Sequence, residues 1–263
     1  LHRDVKIYET RVKTALSPSR IPGLNYALNP YIGCLHGCLY CYAVDYTKGP
    51  PAASWGSVVY VKKNLVEVLK REAVKKPRGA VGVSTITDPY QPPEAKYKIT
   101  RSAVETLGQL GYRISIQTKS ALVIRDVDLF KKYNVDVGIT ITTLKDKARI
   151  LEPLAAHPLA RAKALEKLAE AGVERWIFYG PVVPGFNDKP SDIEEVVALA
   201  YSIDATVYFD KYRPKPRAHM RLSKLYRVEA SETWWREVAK AAGEICKKYG
   251  ARCVSLPDRH IYP

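Results

Sequence analysis

Three of the five cysteines lie within eight residues, at the spacing C-x3-C-x2-C: Cys34, Cys38 and Cys41. Thiolates this close together are typical of a loop that wraps a metal centre, because each sulfur can turn toward the same point. Gly33 and Gly37 allow the tight backbone conformations that such a loop demands. The spacing therefore predicts a metal site with these three cysteines as ligands.

Three thiolates leave one iron of a [4Fe–4S] cluster without a protein ligand, and that open iron can bind a small molecule. The alternative is a structural zinc site with His36 as the fourth ligand. Zinc sites built from cysteines usually contain paired C-x2-C elements, and this loop has only one. An iron–sulfur cluster is the preferred interpretation, and zinc remains open.

After the cysteine loop, predicted strands alternate with predicted helices of ten to fifteen residues. This alternation is typical of an α/β fold with a parallel sheet. Six or seven repeats are too few for a closed (β/α)8 barrel, so the pattern predicts a partial (β/α)6 barrel of the TIM type. The cysteine loop follows the first strand, at the end of the barrel where such folds carry their chemistry.

The chain divides into an arm and one domain. Residues 1–26 have little periodicity, so we expect an N-terminal extended arm that packs on the barrel. Residues 27–263 contain no linker or low-complexity segment and are predicted to form a single domain. No run of 18 apolar residues is present, and the first residues lack a signal-peptide pattern. We therefore expect a cytoplasmic protein without a membrane span, in agreement with free thiolates.

The cysteine loop, with Tyr40 just before its last cysteine, resembles the radical S-adenosylmethionine (SAM) superfamily. This resemblance implies a [4Fe–4S] cluster whose open iron is chelated by the amino and carboxylate groups of SAM, within a partial barrel. It also implies an electron donor such as a ferredoxin or flavodoxin. Reductive cleavage of SAM then gives methionine and a 5′-deoxyadenosyl radical, which abstracts hydrogen from a substrate.

Within this superfamily, the chain resembles the spore photoproduct lyase-like branch, also described as DNA-repair photolyase-like. The segments that carry the resemblance are 19–43, 87–92, 118–120 and 181–185. The lyase uses its radical to reverse a thymine–thymine photoproduct in DNA. Tyr40 and Tyr42 match tyrosines implicated there in SAM contact and hydrogen-atom relay. Ordinary packing of the loop is the alternative for both.

Polar residues at the ends of predicted strands are candidate ligands for SAM. Thr87 and Asp88 follow the second strand, Lys119 follows the third, and Thr140 and Thr142 share one face of the fourth. We expect Lys119 to pair with a carboxylate such as that of SAM. Thr87 and Asp88 are expected to receive the amino or ribose groups of SAM, and Thr140 and Thr142 to hydrogen-bond its ribose or methionine part. Structural alternatives are an Asx turn at Asp88, a solvated Lys119 and ordinary strand propensity at the two threonines.

The sequence departs from the lyase at the hydrogen donor. The lyase has a hydrogen-donating cysteine in the loop after its second strand, where this sequence has Thr85 and no cysteine. A threonine O–H bond is too strong for that role, so we do not carry over the lyase reaction itself. Cys246 and Cys253 fall in the last predicted helix and strand. Core packing is preferred for both, with a disulfide or a hydrogen donor as alternatives.

Charge favours a polyanionic partner. Lys and Arg number 42 against 27 Asp and Glu, which gives a net charge of +15. Four candidate contacts to an anionic substrate lie in the basic run after the sixth strand: Lys211, Arg213, Lys215 and Arg217. A solvated loop is the alternative, and a lysine-rich surface is also found in thermophile proteins. The single methionine and 18 prolines favour a thermophile.

These features together predict a radical SAM enzyme that abstracts hydrogen from a nucleic acid, in lesion repair or nucleotide modification. A first alternative keeps the radical chemistry but has a small metabolite or a protein side chain as substrate. A second alternative is a zinc-stabilised nucleic-acid-binding module without catalysis.

Overall fold

The computed structural model describes residues 4–255. Its strands are β1 (Lys6–Thr10), β2 (Ser17–Pro18), β3 (Tyr26–Leu28), β4 (Tyr31–Ile32), β5 (Val58–Lys62), β6 (Ala80–Val83), β7 (Arg113–Thr118), β8 (Asp136–Thr140), β9 (Arg175–Val182), β10 (Thr206–Lys211) and β11 (Cys253–Ser255). Its α-helices are α1 (Ala43–Tyr46), α2 (Pro50–Ala53), α3 (Leu65–Ala73), α4 (Glu94–Tyr97), α5 (Ile99–Gln109), α6 (Val127–Tyr133), α7 (Ala148–Leu151), α8 (Pro158–Glu170), α9 (Pro190–Ser202), α10 (Pro216–Ser223) and α11 (Glu232–Tyr249). A 3-10 helix spans Ala121–Asp126.

The main sheet has the strand order β11-β10-β9-β8-β7-β6-β3-β2, and it stays open over residues 4–255. All of its neighbouring strands are parallel except β2, which is antiparallel to β3. The prediction of an α/β fold with a partial, parallel barrel is therefore confirmed. The predicted first strand, residues 26–32, is split at Pro30, which has no N–H for the ladder. Its second part, β4, pairs with β5 in a separate sheet, β1-β5-β4.

The two faces of the main sheet differ in polarity. Ile116, Val137 and Ile139 belong to the hydrophobic core shared with the helices. The opposite face carries Asp136, which accepts hydrogen bonds from Ser115 Oγ (2.5 Å) and Trp176 Nε1 (2.9 Å). Burial raises the pKa of Asp136, although both hydrogen bonds oppose that shift. The inner face of the barrel is therefore partly polar.

A buried ionic network joins α4 and α5 to the segment before α6. Arg125 donates to Glu94 Oε1 (2.9 Å) and to Asp126 Oδ1 (2.7 Å). Arg101 and the Tyr90 hydroxyl also donate to Asp126, each at 3.0 Å. Glu94 and Asp126 are fully buried, so these partners offset the cost of removing two carboxylates from water. We call this set the Glu94 network.

The described part of the predicted arm lies against the neighbouring elements. β1 pairs in parallel with β5, and the backbone N–H groups of Ala15 and Leu16 donate to Glu72 of α3 at 3.1 and 2.9 Å. Residues 1–3 and 256–263, the outer ends of the predicted arm and domain, lie outside the described residues. The division into an arm and a domain stays a prediction.

Cys246 and Cys253 form a disulfide bond that ties α11 to β11. Cys246 is also buried in the hydrophobic core. Core packing, the preferred interpretation, is confirmed for Cys246, and the disulfide, the stated alternative, forms because the return of the chain from α11 brings Cys253 within bonding distance. Among residues 4–255, no helix has both the length and the apolar character that crossing a membrane requires.

Candidate active site

The cysteine loop lies between β4 and α1. Cys34 and Cys38 are buried, Cys41 is half-buried, and all three are free thiols. Gly33 has a φ of 87°, and a Cβ there would lie 2.7 Å from the carbonyl oxygen of Val58. The close approach of β5 therefore requires glycine at position 33.

The loop that follows β6 holds the cysteine loop by hydrogen bonds. The Thr87 hydroxyl donates to the Gly33 carbonyl (2.6 Å), and Gln91 Oε1 accepts from Leu35 N (2.8 Å). Gln91 Nε2 in turn donates to the Thr87 hydroxyl (2.9 Å). Thr87, predicted to bind the cofactor, thus has its hydroxyl engaged in positioning the cysteines.

Asp88 is buried and links the cysteine loop to the end of β7. Its Oδ1 accepts from Tyr90 N (2.9 Å), an Asx turn, and from the Thr118 hydroxyl (2.7 Å). Its Oδ2 accepts from Lys119 N (2.8 Å) and lies 3.3 Å from His36 Nδ1. Burial alone would raise the pKa of Asp88, but these partners lower it to about 2. Both oxygens are thus occupied by protein groups.

A second buried carboxylate, Glu152, lies on the other side of the cysteine loop and is only 1% exposed. The Tyr40 hydroxyl and Arg161 donate to it, and the Thr142 hydroxyl donates to Oε1 at 3.1 Å. Burial would raise the pKa of Glu152, but the positive charges of Arg161 and Lys119 lower it. Glu152 is therefore ionised. We call these five residues the Glu152 network.

The Glu152 network contains two cations for one carboxylate. Arg161 is 1% exposed and also donates to the carbonyls of Thr140 (2.9 Å) and Ala156 (2.8 Å). Lys119 Nζ lies 5.7 Å from the centre of the Tyr40 ring. Burial would lower the pKa of Lys119, but its electrostatic interactions with Cys38 and Glu152 raise it. Glu152 pairs with Arg161, so Lys119 lies beside the thiols without a carboxylate paired to it alone. Such a cation suits an anionic ligand.

The two candidate tyrosines occupy different environments. Tyr40 is buried and donates to Glu152. Tyr42 is 40% exposed, and its hydroxyl donates to the backbone carbonyl of Thr85. Of the two, only Tyr42 therefore presents its ring to solvent, and it does so beside Thr85 in the loop after β6.

The two candidate threonines have different partners. Thr142 is part of the Glu152 network, whereas the Thr140 hydroxyl accepts a hydrogen bond from Gln117 Nε2 at 3.3 Å, on the inner face of the barrel. Both threonines are buried. The structure brings Lys119, Tyr40 and Thr142 together around Glu152. Thr140 lies apart from them, beside Gln117 on the inner face of the barrel.

The predicted basic contacts do not form one exposed surface. Lys211 Nζ pairs with Glu232 at 2.6 Å, and Arg213 pairs with Asp210. Lys215 is half-buried, and Arg217 is exposed at the start of α10. Two of the four cations thus have carboxylate partners within the chain.

Comparison with known proteins identifies the family. Residues 28–200 match the family profile of the radical SAM superfamily. The chain belongs to the radical SAM superfamily. An uncharacterized protein of Methanocaldococcus jannaschii is 33% identical to it, over 80% of this chain and 79% of the relative. An uncharacterized protein of Acidianus two-tailed virus is 34% identical, over 89% and 83%.

Two solved structures have a similar fold. Spore photoproduct lyase complexed with dinucleoside spore photoproduct superposes with a TM-score of 0.74 at 15% identity, covering 95% of this chain and 82% of the lyase. Streptococcus suis SuiB bound to S-adenosylmethionine superposes with a TM-score of 0.60 at 13% identity, covering 90% and 52%. The predicted resemblance is confirmed at the level of family and fold.

The cysteine loop of this radical SAM protein fits an iron–sulfur cluster in its donor chemistry. Burial is the main factor that raises the pKa of Cys34, Cys38 and Cys41, and Lys119 acts against it at the last two. Three free thiols, two of them buried, beside a cation are suited to bind iron as thiolates. Over residues 4–255, no group of three or more His, Cys, Asp or Glu side chains is arranged to bind a single metal ion. A [4Fe–4S] cluster does not require such a group, because each thiolate binds a different iron.

The sequence analysis missed Glu152, Arg161 and Gln91. For Arg161 a signal was present, because it falls in the apolar stripe of α8 with Ala164, Leu165 and Leu168. An arginine on the core face of a helix needs a buried partner. Glu152 and Gln91 lie in loops, where no periodicity marks a buried residue.

Proposed function

We propose that this radical SAM enzyme binds a [4Fe–4S] cluster through Cys34, Cys38 and Cys41 and cleaves SAM reductively. The observation that carries the proposal is the set of three free thiols, two buried and one half-buried, with Lys119 beside Cys38 and Cys41, in a chain of this superfamily. When bound, the cluster and SAM supply a 5′-deoxyadenosyl radical that abstracts hydrogen from a substrate. A zinc module without catalysis has no support from the family.

Lys119 is the residue proposed to pair with the SAM carboxylate. Its ammonium group lies beside the cysteines, and the charge of the Glu152 network leaves one cation in excess. Glu152 holds Tyr40 and Thr142 by hydrogen bonds, so it fixes the wall against which SAM would lie. Thr87 and Asp88 are proposed as positioning residues for the cysteine loop, since their side-chain oxygens already have protein partners.

Tyr42 is the better candidate for hydrogen-atom relay. Its ring is 40% exposed, whereas the Tyr40 hydroxyl is bound to a buried carboxylate. Tyr40 is accordingly proposed to act on the cofactor side, as a ring packed between Lys119 and Glu152. The free cysteines among the described residues, Cys34, Cys38 and Cys41, are all proposed cluster ligands, so the relay would end on a group other than a thiol.

The proposed substrate is a nucleic acid, in lesion repair or nucleotide modification. The net charge of +15 supports a polyanion, and the similar fold of spore photoproduct lyase has been solved with a dinucleoside spore photoproduct. Lys211, Arg213, Lys215 and Arg217 remain the predicted contacts. A single domain over residues 27–263, a cytoplasmic location, a thermophilic origin and a ferredoxin or flavodoxin as electron donor are parts of the same proposal.

The experiment that tests the chemistry is anaerobic reconstitution with iron and sulfide, followed by SAM and dithionite. We expect about four iron and four sulfide per chain and formation of 5′-deoxyadenosine. Cys38→Ala should lose both, whereas the double variant Cys246→Ser/Cys253→Ser should keep both, because its disulfide lies outside the site. A native protein that assembles no cluster and retains zinc would overturn the proposal.

The substrate class has its own test. Binding of single- and double-stranded DNA and of RNA would be measured by fluorescence anisotropy at several salt concentrations. A polyanionic substrate predicts an affinity that falls steeply as salt increases, because phosphate contacts release counterions. Absence of binding at low salt would favour the metabolite or protein side chain as substrate.

A further inference from the structure

Helix α10 covers the cysteine loop. Its residues Ala218 and Leu222 are buried against the cysteines and their neighbours. Arg221 donates to the carbonyls of Cys38 (3.0 Å) and Gly37 (3.2 Å). A single helix therefore separates this part of the cysteine loop from solvent, and its inner face contacts the loop directly.

The opposite face of α10 is exposed, basic and partly apolar. Arg217, Met220 and Lys224 follow one another at helical spacing i, i+3 and i+7, so they share one face. Met220 is 55% exposed, and Leu225, just after the helix, is 66% exposed. Arg227 is exposed nearby. We call these five residues the α10 outer face.

The segment around this face is strongly basic. Residues 211–228 contain seven Lys and Arg and no Asp or Glu. Lys211 and Arg213 pair with carboxylates outside the segment, and Arg221 is turned to the cysteine loop. The α10 outer face thus carries positive charge around two exposed apolar side chains.

We infer that the α10 outer face is the docking surface for a small acidic one-electron carrier protein. This inference rests on the proposed function, which needs one electron from outside for each SAM cleaved. The carrier is oxidised by one electron, the C5′–S bond of the sulfonium breaks, and methionine and the 5′-deoxyadenosyl radical form. Electron transfer slows steeply with distance, so a carrier must dock where only a thin layer of protein covers the cysteine loop. At α10 that layer is one helix.

A protein fits this face better than a nucleic acid does. A phosphate backbone uses cations but gains nothing from Met220 and Leu225. Transient redox complexes have small interfaces, in which exposed apolar side chains can pack at the centre while complementary charges at the rim steer association. Arg217, Lys224 and Arg227 provide such a rim for an acidic partner.

The test is the charge reversal Lys224→Glu/Arg227→Glu. Neither side chain belongs to the cysteine loop or the Glu152 network, and the surface pair of Arg227 with Glu229 (2.7 Å) is dispensable. The probe is a flavodoxin kept reduced by its NADPH-dependent reductase. Flavodoxin binding would be measured by biolayer interferometry on apoprotein and on reconstituted protein. Formation of 5′-deoxyadenosine would be measured separately, with flavodoxin or with dithionite as the reductant.

We expect the Kd for flavodoxin to rise roughly tenfold or more and flavodoxin-driven 5′-deoxyadenosine formation to fall in parallel. Dithionite-driven formation should stay at the native level, since dithionite needs no docking surface. The matched control is Lys131→Glu/Lys132→Glu on α6, with the same change in charge, and it should behave as native protein. Added salt should weaken native binding more than variant binding.

Two results would overturn the inference. The first is an unchanged affinity for flavodoxin in Lys224→Glu/Arg227→Glu. The second is an equal loss of flavodoxin affinity in the control Lys131→Glu/Lys132→Glu. A loss of DNA or RNA affinity without a loss of flavodoxin affinity would assign the face to nucleic acid instead. Failure of the proposed function has a different signature, because native protein with dithionite would then form no 5′-deoxyadenosine while the binding measurement on apoprotein still decides the docking surface.

Discussion

The molecule contains two buried networks of carboxylates, arginines and tyrosines, and they differ in charge balance. In the Glu94 network, two buried carboxylates, Glu94 and Asp126, face the two arginines Arg101 and Arg125, and Arg101 also pairs with the exposed Asp128 at 2.6 Å. In the Glu152 network, Glu152 alone faces Arg161 and Lys119. The first is complete without a ligand, whereas the second has a cation in excess beside three thiols.

This difference separates a structural network from a binding site. A balanced set of buried charges holds elements in place, and the Glu94 network joins α4 and α5 to the segment 121–126. An unbalanced set of buried charges holds a cation in place for an anionic ligand, or for the cysteine thiolates that form when iron binds. The two networks are connected through Tyr90 and Asp88. The Tyr90 hydroxyl donates to Asp126 and its N–H donates to Asp88, which in turn accepts from the backbone N–H of Lys119.

The largest effect is expected from breaking the Glu152 network at Arg161. Arg161→Met leaves an ionised carboxylate buried without its main partner, which typically costs about 3–5 kcal/mol. Urea unfolding of the apoprotein measures this loss. Arg125→Met is the matched variant, and its cost should be smaller because Arg125 is 21% exposed, against 1% for Arg161, and Glu94 keeps hydrogen bonds from the Tyr31 hydroxyl and two backbone N–H groups. Equal losses in the two variants would contradict this difference between the two arginines.

Lys119→Met separates binding from stability. Loss of a hydrogen bond between charged groups costs about 1.5–3 kcal/mol, so the affinity of reconstituted protein for SAM should fall roughly 10- to 100-fold. Isothermal titration under anaerobic conditions measures this change. Arg125→Met, in the balanced network, should bind SAM like the native protein. An unchanged affinity in Lys119→Met would remove Lys119 from the proposed SAM site.

The cysteine motif and the alternation of strands and helices were predictable because both are local in sequence. Ligand spacing and the alternation of strands and helices can be read within short windows. The networks were not, since Tyr40 and Glu152 are 112 residues apart and Arg221 is 183 residues from Cys38. Such pairs depend on the register of neighbouring strands and on loop paths. Asp88 shows the same limit, because its residue type suits a ligand equally well as a positioning role.

Asp88 gives a pH dependence with a defined sign. Its pKa is lowered from 3.8 to about 2, so the carboxylate stabilises the fold above about pH 4 and loses this effect as pH falls toward 2. The shift corresponds to about 2 kcal/mol. In urea unfolding of apoprotein, the stability difference between native protein and Asp88→Asn should shrink as pH falls below 4. A difference independent of pH would show that the ionised carboxylate is not what stabilises this link.

The smallest effects come from a matched pair of tyrosines, Tyr40→Phe and Tyr90→Phe. Each removes one hydroxyl that donates to a buried carboxylate, Glu152 or Asp126, and each should cost about 1–2 kcal/mol in urea unfolding. Their effects on SAM should differ. Tyr40→Phe leaves Glu152 with less support, so its charge neutralises Lys119 more strongly and SAM affinity should fall a few-fold. Tyr90→Phe should leave SAM affinity unchanged, because Asp126 belongs to a network already balanced by its own arginines. If both variants changed SAM affinity equally, the connection through Tyr90 and Asp88 would transmit strain to the site, and the two networks would act as one.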